Sequence, residues 1–391
     1  MKNRHFFEAV ATLLGTIIGA GVLGIPYIVA KSGFITGLID IIIIGVILLI
    51  VNLYLGEIAL RTKANHQLTG YAEKYLGGAG KKLMAAAMVF GIYGALIAYM
   101  LGEGEALKAI FGGSNILYSL LFFAVVATII YFGIKMLEES ELIIGTMMLF
   151  VITLISALLL NKVSFENLVV FDATKFLIPY GVILFAFLGT SAIPEMKEEL
   201  AKNKKAMKKA IIIGSLIPIM IYSLFAFVVV GVIGGGFSEL GPDERVATVA
   251  LGMFTGKTMA VFANLFAVFA MTTSFLALGY ALKEMFNYDY KINKNVSWLM
   301  VILVPLAVFL ADAFVMDITN FIAVLGVTGA VSGGLTGILI VMMHNKAKKL
   351  GERKPEYSIS KNKIMSWIIA VVFIIGVIYE VCASIGIIPS F

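Results

Sequence analysis

Charge is scarce in this chain. Asp, Glu, Lys and Arg make up 14% of its 391 residues, where a soluble domain carries about 25%, so a soluble globular fold is the first class to go. Cysteine occurs once, at Cys382, which excludes an internal disulfide framework. Histidine occurs at His5, His66 and His344 only, each at the periphery of an apolar run. That argues against a histidine proton relay, and no nucleophile–base or metal-ligand set suggests an enzyme. Extended hydrophilic sequence is missing as well. The longest such stretches are 61–81, 161–175, 234–257 and 344–363, too short for a receptor domain or for an anchored enzyme with its chemistry outside a bilayer.

What is present is apolar sequence. Hydrophobic residues make up 60% of the chain, and the mean hydropathy is +1.00. Apolar runs at 6–30, 34–60, 82–110, 115–135, 141–160, 176–196, 209–233, 258–285, 296–312, 317–343 and 364–386 each approach or exceed the ~20 residues that cross a bilayer as a helix. The expected fold is therefore all-α and polytopic, with about eleven transmembrane helices. Transmembrane strands need ~10-residue segments of alternating polarity, and these runs are longer and uniformly apolar. The first run lacks the small-residue cleavage site of a signal peptide and reads as a retained span.

The net charge of +6 points to orientation rather than to nucleic acid. With the N-terminus placed in the cytoplasm and the spans alternating, 24 of the 30 Lys and Arg residues fall on the cytoplasmic side; Lys31, Lys108, Lys162, Lys175, Arg245 and Lys257 do not. That bias follows the positive-inside rule. It predicts an integral protein of the cytoplasmic membrane with its C-terminus outside, and it reads "KNKKAMKKA" as an orienting loop.

Two spans carry glycine where a helix wants none. "GTIIGAGVLGIP" at 15–26 holds Gly15, Gly19, Gly21 and Gly24 before Pro26, and "PYGVILFAFLGTSAIPEM" holds Gly189 before Pro194. For a lone glycine pair, close helix packing is the commoner meaning. Here Gly19 and Gly189 lie 170 residues apart, with five spans from one start to the next. That spacing predicts two five-helix repeats, 1–160 and 176–343, of opposite orientation, with spans one and six interrupted and one extra helix at 364–386. Unwound backbone at mid-membrane is costly unless a polar ligand uses it. Amide ends attract a carboxylate and carbonyl ends attract a cation or an ammonium, so a site offering both suits an amino acid.

"GTIIGAGVLGIPY" resembles the first-helix motif of the amino acid/auxin permease family. It is also similar to that of bacterial hydroxy and aromatic amino acid permeases, within the amino acid–polyamine–organocation superfamily. "AYMLGEGEAL", "FLGTSAIPEM" and "MTTSFLALGYALKEMF" extend the likeness over nearly the whole chain. The resemblance implies a LeuT-like inverted five-plus-five fold and secondary transport by alternating access. It implies that Gly19, Ala20 and Gly21 meet the substrate carboxylate, and that Phe185, Ala186, Phe187, Leu188 and Gly189 meet its amino group and side chain. It implies a sodium site from the Gly15, Ile18 and Ala270 carbonyls and the Thr273 and Ser274 hydroxyls. A hydroxyl run such as Thr272–Ser274 would otherwise be read as bonding back along its own helix.

Some proton-coupled relatives carry a lysine on helix five. Here that span has none, and Thr146 stands about where theirs does, which favours Na+ over H+ as the coupling ion. Glu105 is the candidate proton carrier for the alternative. Asp40, Glu57, Glu103 and Glu380 also fall in apolar spans, toward their ends. Tyr93, Tyr99, Phe185 and Phe187 are candidate pocket walls. The expectation is symport of a neutral amino acid, aromatic and hydroxy amino acids among the candidates, with no cofactor besides the ion. The partners expected are the substrate and the lipid bilayer, and the sequence sets no oligomeric state. A channel would need rings of polar residues or a repeated filter, and a non-transporting sensor would need an added signalling segment; neither is seen.

Overall fold

The computed structural model describes residues 2–132, 135–316, 320–360 and 362–388. The expected end of span four at 133–134 and the start of span ten at 317–319 lie outside them. Among the described residues the regular structure is entirely helical. In lipid this is the economical solution, because a helix satisfies its own backbone groups.

The chain opens with α1 (Lys2–Ile17), a single 3-10 turn (Ala20–Leu23) and α2 (Ile25–Ser32). The two halves are bent by 45°. Pro26 sits in the first turn of α2, where its missing N–H costs nothing. Gly33, at φ 89°, turns the chain into α3 (Phe34–Arg61), a conformation natural to glycine. Then come α4 (Leu68–Leu76), α5 (Gly78–Phe111), α6 (Asn115–Phe132) and α7 (Lys135–Leu159). Span six is two short helices, α8 (Tyr180–Ala186) and α9 (Ala192–Glu199). The remainder is α10 (Met207–Ile233), α11 (Ala247–Thr255), α12 (Lys257–Glu284), α13 (Lys294–Ala311), α14 (Phe321–Thr328), a π-helical turn (Gly329–Gly333), α15 (Gly334–Leu350) and α16 (Lys363–Ser384).

Eight helices among the described residues are long and apolar enough to cross a membrane, and the bent pair of α1 and α2 adds a ninth. The two remaining expected spans correspond to α7, whose apolar part is Thr146–Lys162, and to α8 with α9, each too short to cross alone. Large apolar side chains such as Met220, Phe269 and Trp367 face outward, as the surface of an integral membrane protein requires.

The connections gather on two opposite ends. On one, which carries most of the lysines, Lys197 Nζ donates to the Thr62 and Ala64 carbonyls at 3.1 and 2.7 Å, and Thr12 donates to Glu199 at 2.7 Å. At this basic end Glu57 is fully buried. It accepts from Arg61 Nε (2.8 Å), Lys348 Nζ (2.6 Å), Ser358 Oγ (3.0 Å) and the Ile359 N–H (2.8 Å), and pairs with His344 Nε2 (3.1 Å). The connection after α15 is thereby strapped across the end of α3, with the Tyr357 hydroxyl on the Leu53 carbonyl at 2.7 Å. At the other end Thr36 meets Asp172, and the Ser164 N–H meets the Gly231 carbonyl.

One contact is made almost without side chains. Gly326, Gly329 and Gly333 follow one another on the face that α14 and its π turn press against α8. A Cβ on Gly329 would lie 2.7 Å from the Phe185 nitrogen, and one on Gly333 would lie 3.1 Å from Leu184. Helix α8 thus lies on bare backbone, the close approach that small residues permit between helices in lipid.

Candidate functional site

The two breaks meet. α1 stops at Ile17, Gly19 is extended (φ −123°, ψ −155°), and its N–H closes a tight turn on the Ile17 carbonyl at 3.0 Å. Ala20 and Gly21 begin the 3-10 turn, where amides have no partner within the turn. Gly21 is packed against the other break: a Cβ there would lie 2.8 Å from the Ala186 Cα. Glycine is required at this point by proximity rather than by a special dihedral. Gly189 serves the same purpose on the second break, since its added Cβ would lie 2.5 Å from Ile17.

Between the breaks and the basic end lies a cavity of about 310 Å3. Its deep wall includes Gly19, Gly21, Phe185, Tyr99 and Ser274, and its far wall reaches Leu68, Glu195 and Ala281 near the basic end. In the opposite direction the path is closed. Gly24 is packed on Val182, Ile322 and Leu325, Tyr27 meets Phe237 edge-on at 5.9 Å, and the Arg245 guanidinium covers the Tyr27 ring at 4.9 Å.

Of the residues singled out in the sequence, Gly15, Ile18, Gly19, Gly21, Phe185, Ala186, Leu188, Thr273 and Ser274 line this cavity. Ala20, Ala270 and Phe187 lie behind the wall, buried, and Gly189 faces α1. Ser274 Oγ lies against Gly19, 2.8 Å from where a Cβ would stand, so α12 touches the first break. The Thr273 hydroxyl donates back along its own helix, 2.9 Å from the Phe269 carbonyl and 3.1 Å from that of Ala270, and its lone pairs stay available. Glu105 is elsewhere: it accepts from Asn115 Nδ2 and lies 3.8 Å from Lys108 Nζ. Glu103, on the same helix, accepts from the Thr272 hydroxyl at 3.2 Å and leaves its second oxygen without a donor. Thr146 is exposed on α7 and does not line the cavity, whereas Met148 of the same helix does.

The structure adds Tyr222, which no sequence signal marks. From the middle of α10 its buried hydroxyl lies 2.7 Å from the Ile17 carbonyl and 3.1 Å from the Ala186 carbonyl. These are the last residues of α1 and α8, where carbonyls run out of helical partners. The site also presents an apolar wall of Met88, Ile92, Ala95, Met148 and Leu278.

Known proteins resemble this chain in sequence and fold. A glutamine transporter of Aliivibrio fischeri is 26% identical over 84% of this chain and 86% of its own. A tyrosine-specific transport system of Haemophilus influenzae is 28% identical over 73% of this chain and 74% of its own. A tryptophan-specific transport protein of the same organism is 21% identical over 100% and 99%. Relatives are thus named as transporters, not enzymes. Among solved structures, MhsT in complex with L-phenylalanine shares the fold, with a TM-score of 0.63 at 15% identity over 97% of each chain. The tryptophan/tyrosine permease family model matches residues 2–383, and the chain belongs to that family.

Proposed function

We propose that this member of the tryptophan/tyrosine permease family is a secondary transporter that carries a neutral, preferentially aromatic, amino acid together with a cation, by alternating access. The observation that carries the reading is the convergence of both helix breaks on one cavity of about 310 Å3. A zwitterion needs amide donors and carbonyl acceptors in one place, and two half-helix junctions supply both. The Ala20 and Gly21 amides, with Gly19, receive the carboxylate. Carbonyls of the 185–189 segment receive the ammonium, and the apolar wall receives the side chain. The names of the tyrosine- and tryptophan-specific relatives support an aromatic substrate.

The cation site is the seam of α1 and α12. It takes the Gly15, Ile18 and Ala270 carbonyls with the Thr273 and Ser274 hydroxyls, oxygens suited to a hard monovalent ion, and Na+ is the proposed ion. The cavity reaches toward the lysine-rich end, which the positive-inside rule assigns to the cytoplasm, and this supports reading it as the inward-facing side of the alternating-access cycle. The two halves of the chain, 1–160 and 176–343, act as inverted repeats around the site, with α16 added. The wider grouping with amino acid/auxin permeases rests on the first-helix motif and the stretches that extend its likeness along the chain.

A proton-coupled reading has one observation of its own. Glu103 lies between α5 and α12 with an oxygen lacking a donor, beside the hydroxyl run of the cation seam, whereas the sequence-level candidate Glu105 is engaged by Asn115. Uptake of labelled tyrosine, tryptophan and glutamine into proteoliposomes decides between the two. A sodium gradient is expected to drive accumulation of the aromatic substrates. Accumulation on a proton gradient in sodium-free buffer overturns the sodium assignment, and absence of uptake under both gradients overturns transport.

A further inference from the structure

The eleventh expected span, α16, carries a carboxyl group that nothing above uses. Glu380 is 0% exposed, and neither of its oxygens has a donor among the described residues. It is set against the first half of broken span six: an added Cβ on Gly181 would lie 2.9 Å from Glu380 Oε2 and would also meet the Gly326 carbonyl. Its surroundings are therefore the first turn of α8 and the backbone of α14, including the acceptor oxygen of Gly326. The neighbouring Tyr180 hydroxyl, 3% exposed, is likewise without a partner, and the Tyr180 ring packs on Gly376 of α16.

We propose that Glu380 is a proton-binding site that governs the docking of α8 on α16. An ionised carboxylate buried beside a carbonyl, with no donor and no cation, is strongly disfavoured. A protonated carboxyl has an O–H to give, and the Gly326 carbonyl lies on the same side of Gly181 as Glu380 Oε2. Among the described residues the titratable group that faces it is Tyr180 from α8, while Tyr379 and Cys382 stand beside it in sequence on its own helix. α14 and the π turn contribute none, and those of α15, from His344 to Lys349, lie at the far, basic end. Among the described residues no fixed cation is paired with Glu380. Asp40 and Glu103 each have one fully buried oxygen without a donor, whereas Glu380 has two.

The consequence rests on the alternating-access reading. α8 is half of a broken span and moves with it. When α8 separates from α16, water reaches Glu380 and the proton can leave; when the proton returns, the neutral carboxyl docks again. Raising the pH therefore favours the undocked arrangement. This site is separate from the cation seam, because α16 contributes nothing to the cavity.

The test uses the full chain in proteoliposomes, as wild type and as Glu380→Gln, an amide close in shape that cannot ionise. Infrared difference spectra at neutral pH read protonation without requiring transport. The protonated-carboxyl stretching band is expected in the wild type and expected to be diminished in Glu380→Gln; an identical band in both overturns the site. Sodium-driven uptake is then followed against pH. The wild type is expected to show a one-proton step, at most about tenfold per pH unit, and Glu380→Gln to lose that step while still transporting. A band that is lost while the step persists overturns the link to docking. Failure of uptake in the wild type counts against the transport reading, and the infrared band still decides the site.

Discussion

The hydroxyl of Tyr222 lies 2.7 Å from the carbonyl oxygen of Ile17, the last residue of α1, and 3.1 Å from that of Ala186, the last of α8. One phenolic proton thus serves the carboxyl ends of two half-helices that approach from opposite sides. Both ends carry partial negative charge. A single donor between them offsets a repulsion that would otherwise push the breaks apart.

Tyr222→Phe keeps the ring and removes that donor. A buried acceptor left without a partner costs about 1–3 kcal/mol. The variant is expected to fold with a lowered melting temperature and to bind substrate more weakly, raising KM more than it lowers kcat. Thermal unfolding in detergent and uptake kinetics measure the two effects. An unchanged KM would show that the bridge does not set the site.

The two glycines of the first break should respond differently to alanine. At Gly21 the new methyl meets the Ala186 backbone, and at Gly19 it meets the Ser274 hydroxyl, which can rotate. Gly21→Ala is expected to abolish uptake because the breaks must separate. Gly19→Ala should reach the membrane at wild-type amounts and keep part of its activity. Equal effects in a side-by-side uptake assay would contradict the packing described.

Thr273→Ala removes a proposed ion ligand and leaves the helix intact, since its hydroxyl otherwise only bonds back to α12. The sodium concentration for half-maximal uptake is expected to rise about tenfold, equivalent to about 1.4 kcal/mol. Melting temperature without sodium should stay where it was. A sodium titration that overlays the wild type would exclude Thr273 from the ion site.

Glu57→Ala strands Lys348 and Arg61 beside a buried space. Removing one member of a buried charge cluster typically costs about 3–5 kcal/mol. The variant is expected to melt well below the wild type, and limited proteolysis should cut the 351–360 connection sooner. Wild-type protection of that connection would mean the strap is held by other contacts.

The breaks were legible in the sequence because glycine and proline punctuate apolar runs that otherwise have no reason to stop. Gly19, Gly21, Phe185 and Ser274 do line one cavity. What escaped reading depends on partners far along the chain. Tyr222 is an ordinary aromatic in an apolar helix until Ile17, 205 residues away, is seen to need a donor. Glu57, Glu103, Glu105 and Glu380 look alike as carboxylates in apolar runs. Only packing separates them: the first is saturated with donors, the third is engaged by Asn115, and the other two retain oxygens without donors. Hydropathy located the spans, and the small residues around Gly189 marked where span six divides into α8 and α9.

The glycine surface under α8 has a mechanical meaning. Helices that interlock through side chains shift by lifting ridges out of grooves, and so they prefer discrete positions. Gly326, Gly329 and Gly333 offer no ridges. Along these glycines α8 rests on backbone, so displacement there meets fewer interlocking side chains than a ridge-and-groove contact would. The limits of its travel are then set at its two ends, by the Tyr222 bridge at one and by the Tyr180 and Glu380 contacts with α16 at the other.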